Sequence, residues 1–298
     1  MPRALILRPS AKINLTLRVG DRRADGYHDV RTLMQSIAIA DTLRVTPRRG
    51  PFVLQCHAPG VPEDATNLVW RAAEVLWRAM GKPGAARDAH IKLDKAIPAA
   101  AGLGGGSADA AAALVALNEV WGARRRDLAT LAAEIGADVP FFLGGGTALG
   151  TGRGDELYPV DDIARFGVVV IKPSFGVSTR DAYGWLDADR AGAAGVGATA
   201  ARHAPPAIDV GWPGRPLALV SDLEAPVARR HPGIGDMIEA LRKEGALGAA
   251  MTGSGSAVFG LFSEGATARA ARRLQRPDWL VLVTRTLGRR VAARRIGL

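Results

Sequence analysis

With 298 residues, 48% of them apolar and 23% charged, the chain is long enough for two domains and has the make-up of an ordinary globular protein. Its 39 Lys and Arg against 29 Asp and Glu leave a net charge of +10, which suits nucleic acid, a membrane surface or phosphorylated small molecules. The excess is spread over scattered arginines and short runs such as Arg124-Arg125-Arg126, a pattern more typical of a solvated surface than of a binding groove. A single cysteine, Cys56, rules out an intramolecular disulfide and fits a reducing compartment, and its neighbour His57 belongs to no metal-ligand spacing. No run reaches the ~18 apolar residues of a membrane span. Arginines break the first residues too early for a signal-peptide core, so the expectation is a cytoplasmic protein without a membrane partner.

From Lys12 to Val19, Ile13, Leu15, Leu17 and Val19 alternate with Lys12, Asn14, Thr16 and Arg18. That period of two predicts a strand with one face in a core and the other on view. Strand character continues around Thr42–Val45, Phe52–Gln55 and Ile91–Leu93. Thr66 and Asn67 can cap a helix carrying Leu68, Val69, Ala72, Leu76 and Met80, ended by Gly81 and Pro83. A second helix begins near Ser107 and runs to Gly122, a third covers Leu128–Ile135, and a short one follows Asp138. Val168–Ile171 reads as a buried strand. The stretch from Arg190 to Arg215, rich in Ala, Gly and Pro, reads as a long loop or mobile linker. The tail reads as helix (Met237–Arg242), strand (Ala257–Phe262), helix (Ala266–Leu274) and strand (Leu280–Thr284). Early hairpin-like strands and a later βαβ-like rhythm argue for an α+β fold with two lobes and a ligand cleft between them, divided near residues 155–165.

The most informative run is Ile97-Pro98-Ala99-Ala100-Ala101-Gly102-Leu103-Gly104-Gly105-Gly106-Ser107, set between a strand and a helix. Its glycines let the backbone approach a ligand closely, and the unpaired N–H groups at the start of the following helix favour an anion, phosphate above all. It lacks the Gly-Lys-Ser/Thr ending of a Walker A loop, and Ser107 stands where a dinucleotide fingerprint needs its third glycine. A second glycine run, Met251-Thr252-Gly253-Ser254-Gly255-Ser256, and a third near Gly144–Gly146 strengthen the case for a cradle; each alone reads as a turn.

Phosphoryl transfer to an alcohol needs positioning, charge neutralisation and a group to take the hydroxyl proton. Asp138, among small and apolar neighbours in Gly136-Ala137-Asp138-Val139-Pro140, is a candidate base, with a plain helix N-cap as the alternative. Lys12 on its own reads as a solvent-facing lysine; it becomes chemically interesting only if the fold sets it beside Asp138. Asp25-Gly26-Tyr27-His28 reads as a turn with an aromatic tip, either an ordinary hairpin or a base-stacking element.

Taken in order, Ala11-Lys12-Ile13-Asn14-Leu15, Ala24-Asp25-Gly26-Tyr27-His28, the Gly102–Ser107 loop, Gly136–Pro140 and Thr252-Gly253-Ser254-Gly255 resemble the GHMP kinase superfamily over residues 8 to about 263. The resemblance implies a two-lobe α+β fold, with an N-terminal kinase domain over residues 1–160 and a C-terminal one over 161–298. It implies an ATP- and magnesium-dependent small-molecule kinase. The run ending in Tyr27-His28 implies, as acceptor, the 2-hydroxyl of a cytidine-diphosphate-linked methylerythritol, an isoprenoid precursor. Carried over by position, Asp138 is the base and Lys12 its partner. Pro98, Ala99, Ala100, Ala101, Gly102, Leu103, Gly104, Gly105, Gly106 and Ser107 bind ATP, the Gly102–Ser107 loop holding its phosphates; Asn67 contacts the adenosine end, and Ser107 is the candidate magnesium ligand. Asn14, Tyr27, His28, Thr179 and Tyr183 contact the acceptor, His28 through the cytosine and the two tyrosines by stacking on either side of it. Two departures from the family pattern are Met34, where an aromatic often stands beside the cytosine pocket, and Ser221, which opens a Ser-Asp-Leu-Glu run where Asn is more usual. The expected assembly is a monomer or homodimer.

The positive charge then has a modest role, since both substrates are polyanions. One rival reading is a kinase of the same superfamily acting on homoserine, mevalonate or a phosphorylated mevalonate, which would not need the Tyr27-His28 run. The other is a nucleic-acid binder. Against that stand the 5% aromatic content and the lack of strands interleaving basic and aromatic residues, so no nucleic-acid partner is expected.

Overall fold

The computed structural model describes residues 4–125, 127–193, 207–212 and 217–298. Its first half opens with strands β1 (Leu5–Leu7), β2 (Ser10–Arg22), β3 (His28–Ala40), β4 (Thr42–Pro51) and β5 (Val53–Gln55). Helix α1 (Leu68–Ala79), β6 (Arg87–Asp94), α2 (Gly105–Val120), α3 (Leu128–Ile135), α4 (Val139–Gly144), β7 (Thr147–Thr151) and β8 (Glu156–Pro159) follow. The second half holds β9 (Gly167–Pro173), α5 (Thr179–Ala193), β10 (Ala207–Ile208), β11 (Leu217–Ala218) and β12 (Val220–Ser221). After these come α6 (Glu224–Arg230), α7 (Gly233–Lys243), β13 (Gly248–Met251), β14 (Val258–Phe262), α8 (Thr267–Arg273), β15 (Trp279–Arg285) and α9 (Arg289–Arg295).

The strands form sheets in the orders β1-β4-β6-β5, β12-β2-β3-β7-β8 and β13-β14-β9-β15, with β10 and β11 as a separate pair. Three apolar clusters hold these layers. One lies between the β4–β6 sheet and helices α1 to α4, one between the β9–β14 sheet and α5 to α8. The third is sandwiched where Ala11, Ile13 and Leu15 of β2 meet Val168, Val170, Phe259 and Leu261. Each large side chain sealed there contributes roughly 1.5–3 kcal/mol, so β2 is bound to both halves. The parallel pairing of β12 with β2 adds a second tie.

Local signals explain the main helices. In α1, Val69, Ala72, Ala73 and Leu76 recur at helical spacing and are buried; Asn67 Oδ1 accepts the Val69 N–H at 2.9 Å, and Gly81 ends the helix at φ +69°. Helix α2 is apolar all round, with Ala108, Ala110–Ala113, Leu114, Ala116 and Leu117 all buried. Such a helix belongs in a core, and its alanines let α1 and the β2 layer approach closely.

Several expectations need correcting. The polar face of β2 is on view only toward its far end, at Arg18; Lys12 and Asn14 are 3% and 5% exposed, because that end of the face lies beneath the glycine loop and α4. The stretch from Arg190 is not all loop. Helix α5 runs to Ala193, with Arg190 donating to the carbonyls of Val19 and Gly20 at 2.5 and 3.0 Å, and residues 207–208 form β10; residues 194–206 and 213–216 lie outside the described residues. Met34 is fully buried in the first core cluster and lines neither cleft cavity. The run Ser221–Glu224 has a structural role: Asp222 accepts the Val19 N–H at 3.0 Å and Glu224 accepts the Met251 N–H at 2.9 Å.

Candidate active site

The glycine loop joins β6 to α2. Its start is pinned by Asp41, whose Oδ1 accepts the backbone N–H groups of Ala96 and Ile97 at 2.5 and 2.8 Å. Its middle is anchored by the buried side chains of Ala101 and Leu103 and by Lys12 N–H donating to Leu103 O at 3.0 Å. Two glycines are irreplaceable here for steric reasons. Gly102 has φ +74°, and a Cβ on it would stand 2.1 Å from the Thr252 carbonyl oxygen of the second glycine run; Gly104 has φ +72°, and its Cβ would stand 2.6 Å from Phe142 Cζ and 3.1 Å from Lys12 Cγ. The two glycine runs therefore lie backbone against backbone. The first intrahelical bond of α2 runs from Ala108 N–H to Gly104 O, which leaves the N–H groups of Gly105, Gly106 and Ser107 directed beyond the helix end.

That end of α2 opens on a cavity of about 490 Å³ lined by the loop from Pro98 to Ser107, Asn67, Lys12 and the Gly253–Gly255 turn. It adjoins a second cavity of about 870 Å³ lined by Tyr27, His28, Tyr183, Trp185 and Asp187. Ser107, Asp138, Arg153, Thr179 and Tyr183 line both, so the two cavities are arms of one cleft.

Lys12 and Asp138 meet at the junction. Lys12 Nζ stands 3.5 Å from Asp138 Oδ2, and the Asp138 side chain is 41% exposed. Asp138 occupies the N-cap position of α4 without a capping hydrogen bond, so its carboxylate remains turned to the cleft. The lysine ammonium also donates to Asn14 Oδ1 at 2.6 Å; Asn14 Nδ2 donates to Thr32 Oγ1 at 2.7 Å, and Thr32 donates to the Thr16 carbonyl at 2.8 Å. Thr252 Oγ1 accepts the Asn14 backbone N–H at 3.1 Å and lies 3.3 Å from Gly102 O, joining the lysine strand to both glycine runs.

A second lysine cluster lies under the loop. Lys95 Nζ donates to Asp41 Oδ2 at 2.5 Å and to Asp109 Oδ2 at 2.7 Å, while Asp109 Oδ1 is buried without a partner. Burial and the neighbouring Asp41 charge push the Asp109 carboxyl well above the usual carboxylate range, against the pull of Lys95. Burial works to lower the Lys95 ammonium, but the two carboxylates prevail and raise it.

Beside the larger cavity, Gly26 at φ +85° and Asp25 Oδ1, which accepts the Tyr27 N–H at 3.1 Å, turn the β2–β3 hairpin. Tyr27 is 56% exposed, with the Arg153 guanidinium 5.4 Å from its ring centre. His28 is buried, 5.2 Å centre to centre from the Tyr183 ring, and its Nε2 lies 2.8 Å from Asp187 Oδ1. Burial first, then the Asp138 charge, pushes the Tyr183 phenol up to about 12. Thr179 Oγ1 lies 3.0 Å from Ser254 Oγ. The side chain of Asn67 is already engaged at both ends, since its Nδ2 donates to Pro62 O at 2.7 Å.

The sequence reading passed over Thr32, Asp41, Lys95, Asp109, Arg153, Asp187 and Thr252. Thr252 stood inside a quoted glycine run; the others carry no local signal, because each is defined by a partner on another element. Among the described residues, no cluster of three or more His, Cys, Asp or Glu side chains could hold a metal by itself. The half-buried Ser107 hydroxyl, open to both arms of the cleft, fits a magnesium ion held chiefly by phosphate oxygens.

Models of the GHMP kinases N terminal domain and of the GHMP kinases C terminal domain match residues 67–146 and 198–277. The fold is shared with a homoserine kinase from Cytophaga hutchinsonii (20% identity, TM-score 0.65, 97% of this chain and 96% of that one). With both halves matched, the chain is a small-molecule kinase of the GHMP class, for which ATP is the phosphoryl donor. The 4-diphosphocytidyl-2-C-methyl-D-erythritol kinases of Pelotomaculum thermopropionicum and Moorella thermoacetica are 45% and 44% identical to it over 289 and 287 residues. Those alignments cover 94% and 95% of this chain and 97% and 99% of the relatives. A solved 4-(cytidine 5'-diphospho)-2C-methyl-D-erythritol kinase superimposes with a TM-score of 0.76 at 34% identity, covering 95% of this chain and all of the other. The chain belongs to this erythritol kinase family within the GHMP kinases.

Proposed function

We propose that the protein transfers the γ-phosphoryl group of ATP to the 2-hydroxyl of 4-diphosphocytidyl-2-C-methyl-D-erythritol, in the non-mevalonate route to isoprenoid precursors. The observation that carries this reading is the Lys12–Asp138 pair at the junction of the two arms, where the end of a triphosphate and the hydroxyl of an acceptor would meet. ATP lies in the glycine-loop arm with its phosphates on the N–H groups of Gly105, Gly106 and Ser107; the loop from Pro98 to Gly104 forms the wall and Asn67 the rim near the adenosine. The cytidine lies in the other arm against Tyr27, His28 and Tyr183, with Thr179 and Asn14 toward the erythritol.

Asp138 takes the proton of the 2-hydroxyl as its oxygen attacks the γ-phosphorus in line with the bond to the β-phosphate bridging oxygen. That bond breaks, ADP leaves with the electron pair, and the proton resides on Asp138 until solvent removes it. Lys12, 3.5 Å from Asp138, orients its carboxylate and offsets charge on the moving phosphoryl group. Asn14, held by Thr32, keeps the ammonium in place. The Ser107 hydroxyl would help hold a magnesium ion, which when bound would neutralise phosphate charge.

A coupled ADP assay with magnesium and the named acceptor tests the reading. The wild type is expected to turn over only with acceptor present, and Asp138→Asn to lose roughly a hundred- to ten-thousand-fold in kcat. Full turnover in the variant would remove Asp138 as base. Failure of folded, ATP-binding wild type to use this acceptor would redirect the reading to other alcohols.

A further inference from the structure

His28 is held at one ring nitrogen only. Its Nε2 lies 2.8 Å from Asp187 Oδ1, reached from the third turn of α5. An ionised carboxylate offers only acceptors, so the proton of this hydrogen bond belongs to Nε2. A neutral imidazole then carries no proton on Nδ1, which is left as an acceptor. Nδ1 has no hydrogen-bond partner among the described residues, and the ring forms part of the wall of the larger cavity. Tyr183 at 5.2 Å and the pairing of His28 with Arg22 across the hairpin fix where the ring stands.

We propose that Asp187 is a positioning residue for base selection. By keeping the His28 proton on Nε2, it presents Nδ1 as an acceptor that matches the 4-amino group of cytosine and opposes the 4-carbonyl oxygen of uracil. The inference rests on the cytidine reading above. The physical basis is an asymmetry: cytosine gains a hydrogen bond at this position, whereas uracil brings a lone pair against a lone pair inside a cavity that limits water. Without Asp187 the ring can take up its proton on Nδ1 and accept uracil, so selectivity falls while the reacting groups stay in place. Asp187 is the natural target because its side chain is 39% exposed and its removal leaves the apolar contacts of α5 intact.

The test compares the cytidine-linked acceptor with its uridine-linked counterpart at about pH 8, where imidazoles are ordinarily neutral. The wild type is expected to favour the cytidine form at least about ten-fold in kcat/KM. In Asp187→Ala and Asp187→Asn that preference should shrink to within about three-fold, through KM for the acceptor, with the KM for ATP unchanged. Nitrogen-15 NMR of the wild type, with the His28 signals assigned through His28→Gln, should show the proton on Nε2. An unaltered preference in both variants, or a proton on Nδ1 in the wild type, overturns the role of Asp187 and leaves the cytidine reading standing. A wild type that uses neither acceptor overturns both.

Discussion

Lys12 and Lys95 both reach aspartates in the same cleft, and the two arrangements are opposites. Lys95 sits between two carboxylates that are at most 2% exposed, at 2.5 and 2.7 Å. Lys12 has one charged partner at 3.5 Å, whose side chain is 41% exposed, and its shorter contact is to a neutral amide. Burying charge is tolerable only where partners are close and numerous, so the Lys95 cluster is a fastening: it holds β4, the loop start and α2 together. A carboxylate that must receive a substrate proton needs the reverse, a loose partner and an open side. Local composition does not separate the two lysines; exposure of the partner aspartate does.

The contrast can be broken from either end. Lys95→Met would leave Asp41 and Asp109 buried without their cation, and should lower unfolding stability by about 3–5 kcal/mol in urea titrations. Asp138→Asn should leave the urea midpoint nearly unchanged while removing turnover. If the two variants exchanged phenotypes, the division into fastening and reacting pair would be wrong. Gly102→Ala comes next, because its Cβ would press on the Thr252 carbonyl and its φ disfavours any side chain. It should cost about 1–3 kcal/mol and raise the KM for ATP several-fold, since the loop must withdraw from the second glycine run. A normal KM for ATP in that variant would mean the contact between the two runs does not shape the nucleotide arm.

The smallest effect sharpens the electrostatics of the junction. In a Tyr27→Phe/Tyr158→Phe variant, Tyr183 is the only tyrosine left, and its absorbance titration should have a midpoint of about 12. Its pKa in the folded protein lies above the ordinary value of 10.0, so the protonated phenol favours folding. That contribution is fully present below about pH 10 and is lost as pH rises toward 12. Asp138→Asn in the same background should shift the midpoint down. No shift would mean that burial alone raises it.

Much of the fold was legible because its signals are local. The alternation in β2, the Asn67 cap and Gly81 stop of α1, the apolar α2 and the buried β9 all appear where periodicity and capping place them. The elements that escaped are those whose burial is decided elsewhere. Helix α9, six of its seven residues arginine or alanine, looks like only a solvated tail, yet Arg295 reaches Ser10 Oγ and Ala38 O, and Arg289 reaches Thr147 O and Val160 O, from across the chain. Helix α5 escaped the sequence reading, which took the chain from Arg190 onward as loop, for the same reason: Arg190 ends on carbonyls of β2.

By itself the sequence determined that a row of unpaired N–H groups suited to an anion would open α2, since a glycine run before a helix creates them whatever the rest of the chain does. It also carried the family, through motifs spread from Lys12 to Gly255. Only the tertiary structure decided that Lys12 and Asn14 on the polar face of β2 are buried, that Lys12 meets Asp138 across 126 residues of chain, and that Lys95 is clamped while Lys12 is not. The reason is physical: backbone signals depend on neighbours along the chain, whereas the ionisation and reach of a side chain depend on what the fold packs against it.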